Sequence, residues 1–105
     1  MPAEDRVFRA LADPSRRAIF EWLTRGEAAV RDITPRFKIS QPAVSQHLAV
    51  LRDAGLVTER REGRLAYYRV EPKGLRPLVD WIAHYQAFWI DRIEGLRTLL
   101  GEMDE

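Results

Sequence analysis

The chain has 105 residues, which is the size of one domain with one modest hydrophobic core. Hydrophobic residues make up 46% of the chain and charged residues 31%, as is typical of a folded globular protein. Cysteine is absent, which excludes disulfides, thiolate metal ligands and thiol redox chemistry. The N-terminus lacks the apolar core of a signal peptide, and no apolar run could span a bilayer. We therefore expect a cytoplasmic protein with no membrane partner.

The formal net charge is only +1, but the charges are unevenly distributed. Residues 36–69 contain seven basic and three acidic residues, whereas residues 91–105 contain two basic and five acidic residues. This asymmetry fits either a mixed solvated surface or a chain with one face that meets a polyanion.

Three helices are predicted before residue 38. The first covers Glu4–Leu11, and the second runs from Pro14 to about Thr24 with Asp13 as its N-cap. A third, short helix is predicted within residues 27–37, where Pro35 can be accommodated in an early turn.

A fourth helix is predicted from residue 40 to residue 54, directly after a turn of three or four residues. Ser40 is a favourable N-cap, and Gly55 supplies the left-handed conformation that commonly ends a helix. One face carries a narrow apolar stripe: Val44, Leu48, Leu51. The opposite face carries hydrogen-bonding groups: Gln41, Ser45, Gln46, Arg52. A short turn between two helices, the second polar on its outer face, is the helix-turn-helix arrangement.

The hydrophobic pattern changes from helical to strand-like after this helix. Val57–Arg61 and Leu65–Val70 are predicted to form a β-hairpin with Gly63 in its turn. Arginines are concentrated near the turn, so the hairpin resembles the basic wing that follows many helix-turn-helix units.

A last helix is predicted from about Leu75 to about Gly101, or about 37 Å of helix at 1.5 Å per residue. Its aromatic and aliphatic stripe is wider than one small core can cover, and left exposed it would form a large apolar patch. A second copy of the chain would cover it, with help from the first helix. The alternative is a stripe that only covers the core of a monomer. The predicted dimer contacts are Val7, Phe8, Leu11, Trp81, Tyr85, Phe88, Trp89 and Leu96.

This order of elements resembles the winged helix-turn-helix repressors of the ArsR/SmtB type. The resemblance covers Phe8 to about Leu100 and is strongest at LADPSRRAIFEWL, SQPAVSQHLAVLRDAGLV and REGRLAYYRV. It implies a mainly α-helical single domain of five helices, with a β-hairpin wing between the fourth and fifth. It also implies a homodimer that binds an inverted-repeat DNA operator and represses transcription.

The polar helix face suits this role, because a helix fits the DNA major groove and amide or hydroxyl groups can read base edges there. We expect Gln41, Ser45 and Gln46 to contact bases, and Ser40 at the helix N-terminus to contact a phosphate. Arg52 is expected either to bind a phosphate or to pair with a nearby acid. The alternative for Ser45 and Gln46 is that they are ordinary solvent-exposed side chains. The predicted DNA-binding set is Ser40, Gln41, Ala43, Ser45, Gln46, His47, Arg52, Arg60, Arg61 and Arg64.

The remaining members of this set differ in how clearly their role can be assigned. Arg60, Arg61 and Arg64 are expected to contact the DNA backbone or enter the minor groove from the wing. His47 lies at the edge of the buried face, so it either bonds to DNA or locks the helix to its neighbour. The family carries a histidine at this position, which implies a role without choosing between these two.

Many family members release DNA when they bind a metal. Ala29 and Arg31 stand where one type of site has its cysteines, and neither residue can ligate a soft metal. A second type of site has its ligands on the last helix, where this chain offers only Asp80 and His84. A metal-responsive repressor that uses these two residues is therefore one alternative function. A solvated helix face explains the same pair. The chain most resembles the cysteine-less, non-metal-sensing branch, so we expect no metal or cofactor and a small-molecule inducer of unknown identity.

Catalytic motifs are absent from the sequence: there is no glycine-rich phosphate loop, no nucleophile motif and no defined carboxylate pair. We therefore expect no enzyme activity. A winged-helix module that binds protein instead of DNA is a further alternative, but it would not need the arginines of the wing.

Overall fold

The computed structural model describes the backbone of residues 2–104 and the side chains of residues 2–101. The helices and strands are α1 (Ala3–Ala12), α2 (Pro14–Leu23), β1 (Ala28–Ala29), α3 (Val30–Ile33), α4 (Gln41–Asp53), β2 (Val57–Glu62), β3 (Leu65–Val70) and α5 (Arg76–Asp104). Short 3-10 turns at Thr34–Arg36 and Pro72–Leu75 follow α3 and precede α5. This arrangement confirms the predicted winged helix-turn-helix.

The junction between α1 and α2 is fixed by polar side chains. Asp13 accepts a hydrogen bond from the backbone N–H of Arg16 at 2.9 Å, as predicted for the N-cap, and this bond lowers the pKa of Asp13. The Arg16 guanidinium donates to the carbonyls of Ala10 at 2.6 Å and Arg9 at 3.0 Å. These carbonyls end α1 and have no partner within the helix, so Arg16 joins the two helices.

Both ends of α4 are capped as predicted. Ser40 accepts a hydrogen bond from the backbone N–H of Ala43 at 3.3 Å. Gly55 adopts a φ of +79°, and the N–H of Leu56 returns to the carbonyl of Leu51 at 2.9 Å. This is the Schellman arrangement, in which a left-handed glycine ends the helix and turns the chain into β2.

The core lies between the helices α1 to α4 and the sheet. Val44, Leu48 and Leu51 of α4 are completely buried, which confirms the predicted apolar stripe. Val7 is only 1% exposed and belongs to the same core. The expectation that Val7 contributes to a dimer interface is therefore wrong, because its side chain is already covered within one protomer.

The sheet has one more strand than the predicted hairpin. The strand order is β1-β3-β2, and both pairings are antiparallel. Ala28 pairs with Tyr68 and Ala29 with Tyr67, so the two alanines extend the wing at its inner edge. The helix predicted within residues 27–37 is accordingly shorter than expected, and Pro35 lies in the 3-10 turn that follows it.

The helix α5 has 29 residues and extends past the predicted end at Gly101. Its first turns pack against α1, where the rings of Phe8 and Trp81 meet edge to face with centroids 5.4 Å apart. From Val79 onward, the large apolar side chains of α5 are between 43% and 63% exposed, Trp81 included: Val79, Trp81, Ile82, Tyr85, Phe88, Trp89, Ile90, Ile93, Leu96, Leu99, Leu100. Across the described residues, the structure contains no helix with the length and apolar character needed to cross a membrane.

Candidate nucleic-acid interface

The outer face of α4 is polar and accessible. Gln41, Ser45 and Gln46 are exposed, whereas Ala43 and His47 are half-buried at its margins. The completely buried stripe on the inner face holds the helix in place, so these side chains are presented on a rigid support.

A cleft separates the N-terminal half of α4 from the wing. Gln41 and Ser45 line one side of it, and Arg64 at the tip of the wing lines the other. Arg31 on α3 also lines this cleft, and both arginines are exposed. Arg31 was not among the predicted DNA-binding residues; its positive charge beside the helix-turn-helix was the available signal.

Glu59 connects α4 to the wing. Its Oε2 accepts a hydrogen bond from Nη1 of Arg52 at 2.7 Å, which raises the pKa of that guanidinium. Its Oε1 lies 3.0 Å from Nε of Arg61. The prediction that Arg52 pairs with a nearby acid thus has a specific partner. Glu59 itself was not predicted, because its partner on α4 is seven positions away across a turn.

Arg60 is occupied within the protein. It donates to Glu27 through two bonds of 2.6 and 3.3 Å and to Glu62 at 2.6 Å, and it lies over the ring of Tyr67 at 4.8 Å. The bond from Arg60 lowers the pKa of the Glu27 carboxyl, and the two carboxylates raise the pKa of the guanidinium. These contacts bind the wing to the loop before β1, and they give Arg60 a structural position.

His47 contacts the neighbouring helix. Its Nδ1 lies 3.5 Å from Nη1 of Arg16, so the neutral ring can accept a long hydrogen bond from that guanidinium. Arg16 also holds the end of α1, as described above. Of the two roles left open for His47, this geometry favours locking α4 to α2.

The residues considered for a metal site are engaged elsewhere. Asp80 accepts a hydrogen bond from Arg76 at 3.2 Å, one helical turn away, and the ring of His84 meets Tyr85 edge to face at 4.9 Å. Among the side chains described within one protomer, no group of three or more His, Cys, Asp or Glu could hold a metal ion.

Comparison with known proteins places this architecture in a family. Residues 13–59 match the model of a protein family that is described as "Bacterial regulatory protein, arsR family". The chain is 33% identical over 81 residues to the transcriptional repressor SdpR of Bacillus subtilis, covering 77% of this chain and 90% of that protein. It is 41% identical over 96 residues to the HTH-type transcriptional regulator Rv2034 of Mycobacterium tuberculosis, covering 91% of this chain and 87% of that protein.

A solved structure extends the similarity to three dimensions. The homodimeric winged helix-turn-helix DNA-binding domain from Mycobacterium bovis, solved by NMR, is 35% identical, with a TM-score of 0.66. The match covers 79% of this chain and 80% of that chain. The chain therefore belongs to the ArsR family, and it is a winged helix-turn-helix DNA-binding transcriptional regulator.

Proposed function

We propose that the protein is a homodimeric repressor that binds an inverted-repeat DNA operator through α4 and the wing. The observation that carries this proposal is the exposed polar face of α4, which stands on a buried apolar stripe beside an arginine-bearing cleft. A protein with this activity works on the chromosome, so we place it in the cytoplasm.

The polar side chains of α4 are assigned to base recognition. Gln41 and Gln46 can each form two hydrogen bonds to an adenine, and Ser45 can bond to any base edge. Ala43 can contact a thymine methyl group. Ser40, whose hydroxyl already caps the helix, brings the backbone N–H of Gln41 close to a phosphate. Pro42 has no N–H, and the N–H groups of the next two residues are bonded to Ser40.

The arginines around this face are assigned to contacts with the DNA backbone. Arg31 and Arg64 flank the cleft between α4 and the wing, where a phosphate could lie between them. Arg52 and Arg61 add two guanidiniums at the C-terminal end of α4. Arg60 is left out of the phosphate contacts, because three hydrogen bonds to the carboxylates of Glu27 and Glu62 already occupy it.

The exposed face of α5 is assigned to dimerisation. Among the predicted contacts, Trp81, Tyr85, Phe88, Trp89 and Leu96 all remain exposed in one protomer. Phe8 and Leu11 of α1 are half-buried beside this face. A two-fold axis between the exposed faces of two α5 helices would let the two α4 helices enter successive major grooves, about one DNA turn apart. The M. bovis relative is a homodimer, which supports this assembly.

Two substitutions separate the assigned roles. We use a duplex that the wild-type protein enriches from a random-sequence library, called here the selected duplex, and a random duplex for comparison. Gln46→Ala should reduce the free energy of binding to the selected duplex by about 1–3 kcal/mol and relax the preference at one base position, with the salt dependence of binding unchanged. Arg64→Ala should lower the affinity for both duplexes by a similar factor. It should also reduce the salt slope, which is the slope of log affinity against log salt concentration, by about 1. Identical behaviour of the two variants would contradict this division.

The dimer is tested independently of DNA. Sedimentation at micromolar concentration should give twice the protomer mass, whereas Leu96→Asp should give a monomer because it places a charge in the apolar interface. Thr98→Asp is the matched control: it introduces the same charge two positions away, about 200° around the helix. A wild-type monomer, or equal dissociation by both variants, would refute the assignment of α5.

A further inference from the structure

The carboxylate of Glu59 lies beneath two guanidiniums that belong to different elements. The Glu59 side chain is 14% exposed, whereas Arg52 on α4 is 44% exposed and Arg61 on the wing is 77% exposed. Each arginine approaches a different carboxylate oxygen, at 2.7 and 3.0 Å. The carboxylate thus forms the floor of a small basic site, and the rest of both guanidiniums remains accessible.

The strand geometry explains why this carboxylate is in this position. Side chains alternate across a strand, so Val57, Glu59 and Arg61 share one face of β2, while Arg60 and Glu62 share the other. Val57 on that face is buried in the core, and Tyr68 stands opposite Glu59 in the register and is also buried. Glu59 is therefore a charged side chain at the edge of the hydrophobic core.

The ion pairs of Glu59 are incomplete on one side. Its Oε1 is buried and accepts no well-aligned hydrogen bond among the described residues, although Nε of Arg61 lies 3.0 Å away and the Tyr68 hydroxyl is close enough that burial and this carboxylate together raise its pKa. A buried carboxylate oxygen without an aligned donor is unfavourable, and a better-aligned guanidinium would relieve this. The Arg61 contact can therefore improve when an anion fixes the guanidinium from the outer side.

We propose that Glu59 is a positioning residue that sets the DNA selectivity of the protein. It holds Arg52 and Arg61 side by side, so that together they bind one backbone phosphate when α4 and the wing are docked on the operator. This inference rests on the proposed DNA-binding function.

The same carboxylate opposes non-specific binding. Non-specific affinity follows the positive charge that meets the phosphates, and Glu59 offsets part of the charge of two arginines. Glu59→Gln keeps the size of the side chain, removes its charge and leaves one acceptor oxygen in place of two, so it can hold at most one of the two guanidiniums. It should therefore increase affinity for any DNA and weaken the ordered contact made only on the operator.

The matched control is Glu62→Gln, which removes the same charge from the same strand but on its opposite face. Arg60 keeps its two bonds to Glu27 in that variant, so no arginine is released. Both variants are first compared with the wild type by thermal unfolding, and affinities are measured well below the midpoint of each.

The experiment measures affinity for the selected duplex and the random duplex from 50 to 300 mM salt, by fluorescence anisotropy. For Glu59→Gln we expect tighter binding to the random duplex, a salt slope steeper by about 0.9, and selectivity reduced about tenfold. Glu62→Gln should keep the selectivity of the wild type. In an Arg61→Ala background, Glu59→Gln should lose most of its effect on selectivity, because one of the two positioned groups is gone.

The outcomes distinguish this inference from the function on which it rests. If the wild type itself shows no preference for any duplex, the proposed function and this inference both fail. If the wild type is selective and Glu59→Gln retains that selectivity and the salt slope, only this inference is overturned. Equal losses for Glu59→Gln and Glu62→Gln would also overturn it, because net charge alone would then explain the effect.

Discussion

Gly74 is the position where the segment entering α5 passes closest to the end of α4, and its replacement by alanine is the most direct test of the fold around the site. A methyl group at Gly74 would overlap the carbonyl oxygen of Gly55 and lie 2.6 Å from its carbonyl carbon. It would also lie 3.0 Å from Cα of Leu56. All three are backbone atoms, so no change of rotamer can make room.

The size of the effect follows from these distances. Carbon atoms in contact are ordinarily about 3.5–4.0 Å apart, so the two backbone segments must separate by about 1 Å. Overpacking of this kind costs about 1–3 kcal/mol. The separation also weakens the hydrogen bond from the N–H of Glu71 to the carbonyl of Leu56, which is 2.9 Å long in the wild type. We expect this to cost about 1 kcal/mol of stability. We expect Gly74→Ala to lower the free energy of unfolding by about 3 kcal/mol, which corresponds to a fall in Tm of about 12–24 °C in a domain of this size.

Gly95→Ala is the control, measured by thermal unfolding at the same protein concentration because dimerisation makes Tm concentration-dependent. Within one protomer, Gly95 lies in α5 with no side chain and no backbone atom of another element within 4 Å of an added methyl group. Alanine is the better helix former, so Gly95→Ala should raise the free energy of unfolding by about 0.5–1 kcal/mol. A Gly74→Ala protein whose Tm lies within about 3 °C of the wild type would refute this reasoning.

Substitutions at three further positions test the contacts around α4 and the wing. Ser40→Ala should lose about 1 kcal/mol of unfolding free energy in urea, and Ser40→Asp should retain it, because either a hydroxyl or a carboxylate can cap α4. The bond from Arg60 holds the pKa of Glu27 below its ordinary value of 4.5, so its stabilisation is present above that pH and is lost as the pH falls through the lower folded-state value. Glu27→Gln should therefore flatten the fall in stability between about pH 5 and pH 3, and an unchanged acid profile would argue against the ion pair. His47→Ala should lower Tm while leaving the affinity for the selected duplex, measured well below that Tm, nearly unchanged, because the ring contacts Arg16; a loss of that affinity without a loss of stability would instead assign it to DNA.

The elements with local signals could be predicted from the sequence. The helix α4 is the clearest case, because its N-cap, its apolar stripe and its terminal glycine all lie within 16 consecutive residues, from Ser40 to Gly55. The hairpin was equally accessible, since a glycine turn separates two strand-like runs. Both signals are properties of neighbouring residues, and the structure confirms both.

The features that the sequence did not reveal depend on distant partners. The strand β1 consists of two alanines, which have little strand preference of their own, and it exists because β3 offers a free edge. Arg60 reaches Glu27 across 33 positions, so its pairing could not be inferred from spacing. Val7 followed the helical period of the predicted dimer face, yet it points into the core because α1 packs on α4 and α5 at once.

The central claim is that two copies of this chain read one DNA site with their α4 helices. The measurement that tests it most directly is selection of bound duplexes from a random-sequence library by the wild-type dimer. We expect enrichment of an inverted repeat whose half-sites are centred about 10 base pairs apart, bound with an affinity that falls steeply with salt. Recovery of unenriched sequences, or of a single half-site bound by a monomer, would contradict it.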